Sequence, residues 1–247
     1  HGLIEAPTII NSGSGFAIGD GGEFRAHARS GFVIFKGSRE RLGAWLSANP
    51  AVWVQDPASA EAVGSIDGFS PRVIADVCAG RGTKTRQLLR RFPEAEIVAS
   101  DTDPARLGDL RRLSASETRV RVVEPRHLPD AVSGRADLIL LDVPCSNTGV
   151  LARRPEARHR FSGSQFERLA RVQRQIFADA IRLRSPRGRV LYSTCSLEPE
   201  ENRDLVEWAA RWHGLRATAS GMTLPSGAPG DDPAGYTDGS FWAMLDG

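Results

Sequence analysis

Val73-Ile74-Ala75-Asp76-Val77-Cys78-Ala79-Gly80-Arg81-Gly82-Thr83-Lys84-Thr85 decides the fold. Its first five residues are apolar apart from Asp76, the composition of a parallel strand buried on both faces. Glycines follow, where the backbone can turn tightly and approach a ligand, and a helix start there offers free N–H groups. A phosphate-binding P-loop needs glycine directly before its Lys-Ser/Thr pair; Thr83 occupies that position, which argues against ATP or GTP. Two readings stay open for the loop, a nucleoside-cofactor site and a plain strand-to-helix turn.

Working outward, further β-branched runs predict strands over 73–77, 96–100, 119–123, 136–141, 189–193 and 241–245. Amphipathic stretches between them predict helices over 83–92, 104–113, 164–184 and 199–212. Pro104 and Pro199 suit a first helical turn, where the missing N–H costs nothing. Such alternation implies an α/β fold, an open and mostly parallel sheet with helices on both faces. Ligands then bind beyond the carboxyl ends of the strands, near the point where strand order reverses. Residues 220–239 are rich in Gly, Pro, Asp and Ser and read as a surface loop. The segment after that loop has hairpin-like spacing, so the last strand is expected to run antiparallel.

The chemistry-bearing residues fall at those strand ends. Asp101 closes the second strand, and a carboxylate about 20 residues after a glycine loop can hold the two hydroxyls of a ribose. The competing reading is a helix N-cap, but Asp103 is better placed for that, which leaves Asp101 free. Glu124 ends the third strand; it is either an acceptor for an adenine amine or a solvated carboxylate. After the fourth strand comes Asp142-Val143-Pro144-Cys145-Ser146-Asn147-Thr148-Gly149. After the fifth comes Tyr192-Ser193-Thr194-Cys195-Ser196-Leu197-Glu198-Pro199-Glu200-Glu201-Asn202. A lone cysteine is usually a small buried hydrophobe. Two at equivalent strand ends, one beside Asp142, point to reactive chemistry. Arg153, Arg154, Arg158, His159 and Arg160 form a basic stretch, read as a contact for a nucleic-acid backbone or as a solvated turn.

Bulk composition narrows the setting. The 247 residues carry a formal net charge of only +2, so total charge does not name a partner. Lysine occurs only at Lys36 and Lys84; every other basic side chain outside histidine is arginine. The three cysteines are too few and too far apart for a disulfide framework or a zinc knuckle, which implies a reducing, cytoplasmic setting and no metal. No apolar run approaches the length of a membrane span. The chain opens on His1 without a signal-peptide pattern, as it would inside a longer chain or after a cleaved tag. Residues 1–49 read as an appendage or the remnant of a preceding domain, with a strand near 30–36 and a helix near 38–48; residues 50–247 read as the catalytic domain.

The segments Asp76–Thr85, Asp142–Leu151 and Tyr192–Asn202 together resemble the RsmB/Sun family of RNA 5-methylcytosine methyltransferases. Val54-Gln55-Asp56-Pro57-Ala58-Ser59, Arg153-Arg154-Pro155-Glu156, residues 173–183 and Asp238-Gly239-Ser240-Phe241-Trp242-Ala243 extend the likeness from about residue 50 to the end. The resemblance implies a class I S-adenosylmethionine-dependent methyltransferase fold, Rossmann-like with an antiparallel last strand. It implies Cys195 as nucleophile at carbon 6 of cytosine, Asp142 on the cytosine edge, and Cys145 in product release. Lys84 would tune a thiol or touch the base or phosphate. The implied cofactor set is Cys78, Ala79, Gly80, Arg81, Gly82, Thr83, Lys84, Asp101, Glu124 and Asp142. The implied substrate is RNA, ribosomal ahead of transfer RNA, with its cytosine unpaired or flipped out. A DNA cytosine methyltransferase would use the proline-cysteine loop instead, and the Cys195 loop argues against it. A non-catalytic RNA-binding assembly factor that keeps the fold is the other alternative. Two positions depart from the family pattern. Arg81 puts a bulky cation in the glycine loop, and Asn147 replaces the usual glycine at a place where asparagine can still adopt left-handed backbone.

Overall fold

The computed structural model describes residues 8–12, 23–160, 163–227 and 230–247. The chain begins with a small antiparallel sheet of β1 (Thr8–Asn11), β2 (Phe24–Ala26), β3 (Phe32–Phe35) and β4 (Trp53–Val54), ordered β2-β3-β1-β4. Helix α1 (Arg39–Ala48) packs Leu42 and Trp45 against its Ile10, Val33 and Phe35. The strand and helix expected near 30–36 and 38–48 are β3 and α1, and β4 adds a rung from beyond residue 49.

The remaining elements are α2 (Pro57–Gly64), β5 (Val73–Asp76), α3 (Thr83–Arg91), β6 (Glu96–Ala99), α4 (Pro104–Ser116), β7 (Val120–Val122), α5 (Leu128–Val132), β8 (Ala136–Asp142), α6 (Gly163–Ala180), β9 (Arg184–Thr194), α7 (Arg203–His213), β10 (Arg216–Thr223) and β11 (Ser240–Asp246). Their strands form one seven-stranded sheet, ordered β10-β11-β9-β8-β5-β6-β7. Pairings from β9 to β7 are parallel. β11 runs antiparallel to β9, as expected, with Phe241 opposite Thr194. From β5 the chain builds outward to β7, then returns to lay β8 on the other side of β5. Strand order therefore reverses between β5 and β8, the place where such sheets open a crevice for ligands.

Alternation along the strands supplies two cores. Ala75, Ile139 and Leu141 pack with Phe177 of α6 and Leu205 of α7. Ile74, Leu138 and Leu140 pack with Val63 of α2, Leu88 of α3 and Leu110 of α4. Both faces are covered, so the central strands have no room for polar residues except at their ends.

Elements beyond the expected set include β1, β2 and α5, and three further differences bear on the site. Part of the expected 220–239 loop belongs to β10, whose residues are mostly exposed and are held by pairing with β11. The expected helix over 199–212 is a 3-10 turn, Pro199–Glu201, followed by α7, broken at Asn202. Helix α2 carried no apolar periodicity to reveal it; it starts on Asp56, whose side chain accepts from Ala58 N. Among the described residues no helix is long and apolar enough to cross a membrane.

Candidate active site

The glycine loop is shaped from its ends inward. Asp76 closes β5 and is fully buried; its Oδ2 accepts from Thr85 Oγ1 at 2.7 Å, while Oδ1 has no partner among the described residues. Burial, opposed by the Thr85 hydrogen bond and reinforced by nearby Asp142, pushes its carboxyl up to about 7. Gly80 and Gly82 take φ of 58° and 87°, the left-handed region that glycine enters without penalty. A side chain at Gly82 would also lie 3.0 Å from Leu113 of α4, whereas the space over Gly80 is open.

Asp103 caps α4 as expected, accepting from Ala105 N and Arg106 N. Asp101 is nevertheless not left free. Its Oδ2 accepts from Gly80 N and its Oδ1 from Asp103 N, both at 2.9 Å, and Arg106 lies 3.7 Å away. It braces the loop across the strand ends, with lone pairs left over on both oxygens. The Arg81 side chain is 78% exposed and pairs with Asp109 of α4 at 3.4 Å. The loop therefore keeps its turn with a cation at this position. Cys78 is half-buried, and burial beside Asp76 and Asp101 holds its thiol far above the usual cysteine range. Glu124 stands just before a 3-10 turn at Pro125 and pairs with Arg126 at 2.9 Å.

The second half of the site lies on β8 and β9, where Asp142 and Ser193 are register partners. Lys84, on α3 and nearly buried, places Nζ 2.8 Å from Asp142 Oδ2 and 3.2 Å from Ser59 of α2. Ser193 donates to the other oxygen, Oδ1, at 2.6 Å. Lys84 thus has Asp142 as its ion-pair partner. The Cys145 and Cys195 sulfurs are 3.2 Å apart. The bond to Cys195 and then burial hold the Cys145 thiol well above the usual range. Cys195 donates to Asn147 Oδ1 at 3.1 Å. Asn147 has φ of 64°, the left-handed conformation expected of it.

A clamp that the sequence did not disclose holds the two cysteine loops together. Fully buried Glu201 accepts from Ser146 N at 3.0 Å and from Gln173 of α6 at 2.9 Å, and also takes the Ser146 hydroxyl. Asn202, equally buried, accepts from Thr194 at 2.6 Å and donates to Ser196 O at 2.9 Å. Gly149 N donates to Cys195 O at 2.9 Å, and Gly239 N donates to Gly149 O at 2.7 Å. A Cβ on Gly149 would sit 2.6 Å from Gly239 O, so only glycine fits where three backbones meet. The Glu-Pro-Glu-Glu-Asn run was visible as a motif, but nothing local announced that its carboxylate reaches back to residue 146.

Of the basic stretch, Arg153 stands apart from Arg154 and Arg158, and the side chains of His159 and Arg160 lie outside those described. Arg153 lies between Asp56 at 3.0 Å and Asp238 at 2.6 Å, with its guanidinium over Tyr236. It joins the start of α2 to the loop before β11. Arg154 and Arg158 are exposed.

Comparison with known proteins places these features in context. The family model described as 16S rRNA methyltransferase RsmB/F matches residues 69–225. Ribosomal RNA small subunit methyltransferase B of Vibrio cholerae is 34% identical over 201 residues, 78% of this chain and 46% of that protein. The chain therefore spans about half the length of this relative. NSun6 from Pyrococcus horikoshii, solved with SFG, superposes with a TM-score of 0.68 at 27% identity, covering 89% of this chain and 60% of that one. The structure of PH0851 superposes with a TM-score of 0.76 at 26% identity, covering 98% and 60%.

Proposed function

The chain belongs to the 16S rRNA methyltransferase RsmB/F family, and on that premise we propose that it methylates carbon 5 of a cytosine in ribosomal RNA through Cys195. The cofactor of this family's fold is S-adenosylmethionine, which supplies a methyl group on a cationic sulfur. The residues present suit it: Asp76, Asp101 and Asp142 stand at the carboxyl ends of neighbouring strands, Asp76 Oδ1 is buried without a partner among the described residues, and the space over Gly80 is open. Asp101 would take the ribose hydroxyls on its remaining lone pairs. Glu124 would accept from the adenine amine.

The observation that carries the reading is the thiol pair, 3.2 Å apart beside the Lys84–Asp142 ion pair. Carbon 5 of cytosine is a weak nucleophile. Addition of the Cys195 thiolate at carbon 6 forms a carbon–sulfur bond and makes carbon 5 an enamine carbon, able to accept a methyl group; covalent catalysis thus divides one hard step into two. Lys84 and Ser193 hold the Asp142 carboxylate in place, so that it can accept from the cytosine amine. Transfer of the carbon 5 proton to a water molecule then returns the electron pair to the ring, breaks the carbon–sulfur bond and releases Cys195 as a thiolate. Cys145, held as a thiol, stands next to the departing sulfur and assists that release. The target must be unpaired or flipped to reach these strand ends. This chemistry suits reduced thiols, as in the cytoplasm.

Denaturing gels with a 16S rRNA transcript and cofactor test the assignment. Cys195→Ala should abolish both methyl transfer and the covalent protein–RNA complex. Cys145→Ala should accumulate a complex that survives denaturant and disappears when Cys195 is also replaced. A complex from Cys195→Ala but none from Cys145→Ala would reverse the two roles.

A further inference from the structure

Asn147 contacts the Cys195 sulfur and the Cys145 carbonyl, and each contact has a direction. Its side-chain Oδ1 can only accept, so the 3.1 Å contact uses the hydrogen of Cys195. A thiol has one hydrogen. The hydrogen between the two sulfurs, 3.2 Å apart, must therefore come from Cys145. The amide cannot turn over, because Nδ2 donates to the Cys145 carbonyl at 3.1 Å, and a flip would set two oxygens against each other. All of these contacts depend on φ of 64° at Asn147, a conformation asparagine adopts more readily than most residues.

We infer that Asn147 is a positioning residue that sets the direction of hydrogen bonding in the thiol pair, making Cys145 the donor and the Cys195 sulfur the acceptor. This inference rests on the reading of Cys195 as nucleophile. Its consequence is preorganisation: when Cys195 is ionised, a donor already points at the sulfur that bears the charge. The same arrangement distinguishes two thiols that their strand-end positions alone would leave alike.

The test uses Asn147→Gly, which keeps the backbone conformation, and Asn147→Asp, which keeps an acceptor but adds charge. Iodoacetamide labelling of the whole chain without RNA, mapped by mass spectrometry, reads the two thiols separately. In the wild type Cys195 should label at least about tenfold faster than Cys145. In Asn147→Gly that preference should fall severalfold, and kcat for methylation of the 16S rRNA transcript should fall about tenfold with KM for RNA unchanged. In Asn147→Asp the pH profile of Cys195 labelling should move to higher pH, since a carboxylate there opposes a neighbouring thiolate. Wild-type labelling preference and kcat in Asn147→Gly, with the RNA adduct on Cys195, would overturn this inference alone. An adduct on Cys145 would overturn both it and the assignment of the nucleophile.

Discussion

Asp76 is fully buried and half-satisfied, since Thr85 meets one oxygen and nothing described meets the other. Its carboxyl is raised to about 7, chiefly by burial. In the unfolded chain it titrates near about 4. Between those values the folded state holds more protons than the unfolded one, so this group's contribution makes stability fall as pH rises from about 4 to about 7, then level off. The gap corresponds to on the order of 4 kcal/mol. Asp76→Asn cannot ionise, so urea melts of the variant should lack that decline; equal slopes in variant and wild type would assign the dependence to other groups. Asp101 calls for a different measurement. Asp101→Ala should weaken S-adenosylmethionine binding by about 1–3 kcal/mol in calorimetry. Unchanged affinity would leave Asp101 with its loop-bracing bonds to Gly80 and Asp103 alone.

At the level of elements, the loops that carry the thiols are fixed by contacts made far along the chain. Gly149→Ala would drive a methyl into Gly239 O and Cys195 O. A loss of about 1–3 kcal/mol in stability is expected from such overpacking, with slower adduct formation at Cys195; a fully active and equally stable variant would contradict the three-backbone junction. The same distinction between near and far contacts explains what could be read beforehand. β5, β6 and β8 are buried on both faces and announce themselves by unbroken apolar runs. α4 has its aspartate cap and first-turn proline in sequence, so its start was legible. The two cysteines were legible too, because strand ends and thiols are both local. β10 was not, for Arg216–Thr223 has little apolar patterning and exists through its pairing with β11. Glu201 and Gln173 act on residues distant in sequence, and Arg153 meets its carboxylates at positions 56 and 238. A charged side chain looks the same in sequence whether it faces solvent or an internal partner.

Across the whole molecule, Gln55 joins the small sheet to the large one. Its Oε1 accepts from Asn11 and Trp53, each at 2.8 Å, and its Nε2 donates to Gln87 of α3 at 2.9 Å. Gln55→Ala removes the acceptor shared by buried Asn11 and Trp53, at a cost of about 1–3 kcal/mol. Hydrogen exchange should then show β1 and β3 opening ahead of β5 and β8; uniform exchange would mean that the two sheets unfold as one unit without this link. Three residues before Gln87 on α3, Lys84 bridges Ser59 and Asp142. It is one of two lysines, and the other, Lys36, is exposed. An acylating reagent therefore meets one side-chain amine that is always available and one that is available only when the crevice breathes. The ratio of the two labelling rates is a clock for that opening, built into the composition of the chain and readable without any substrate.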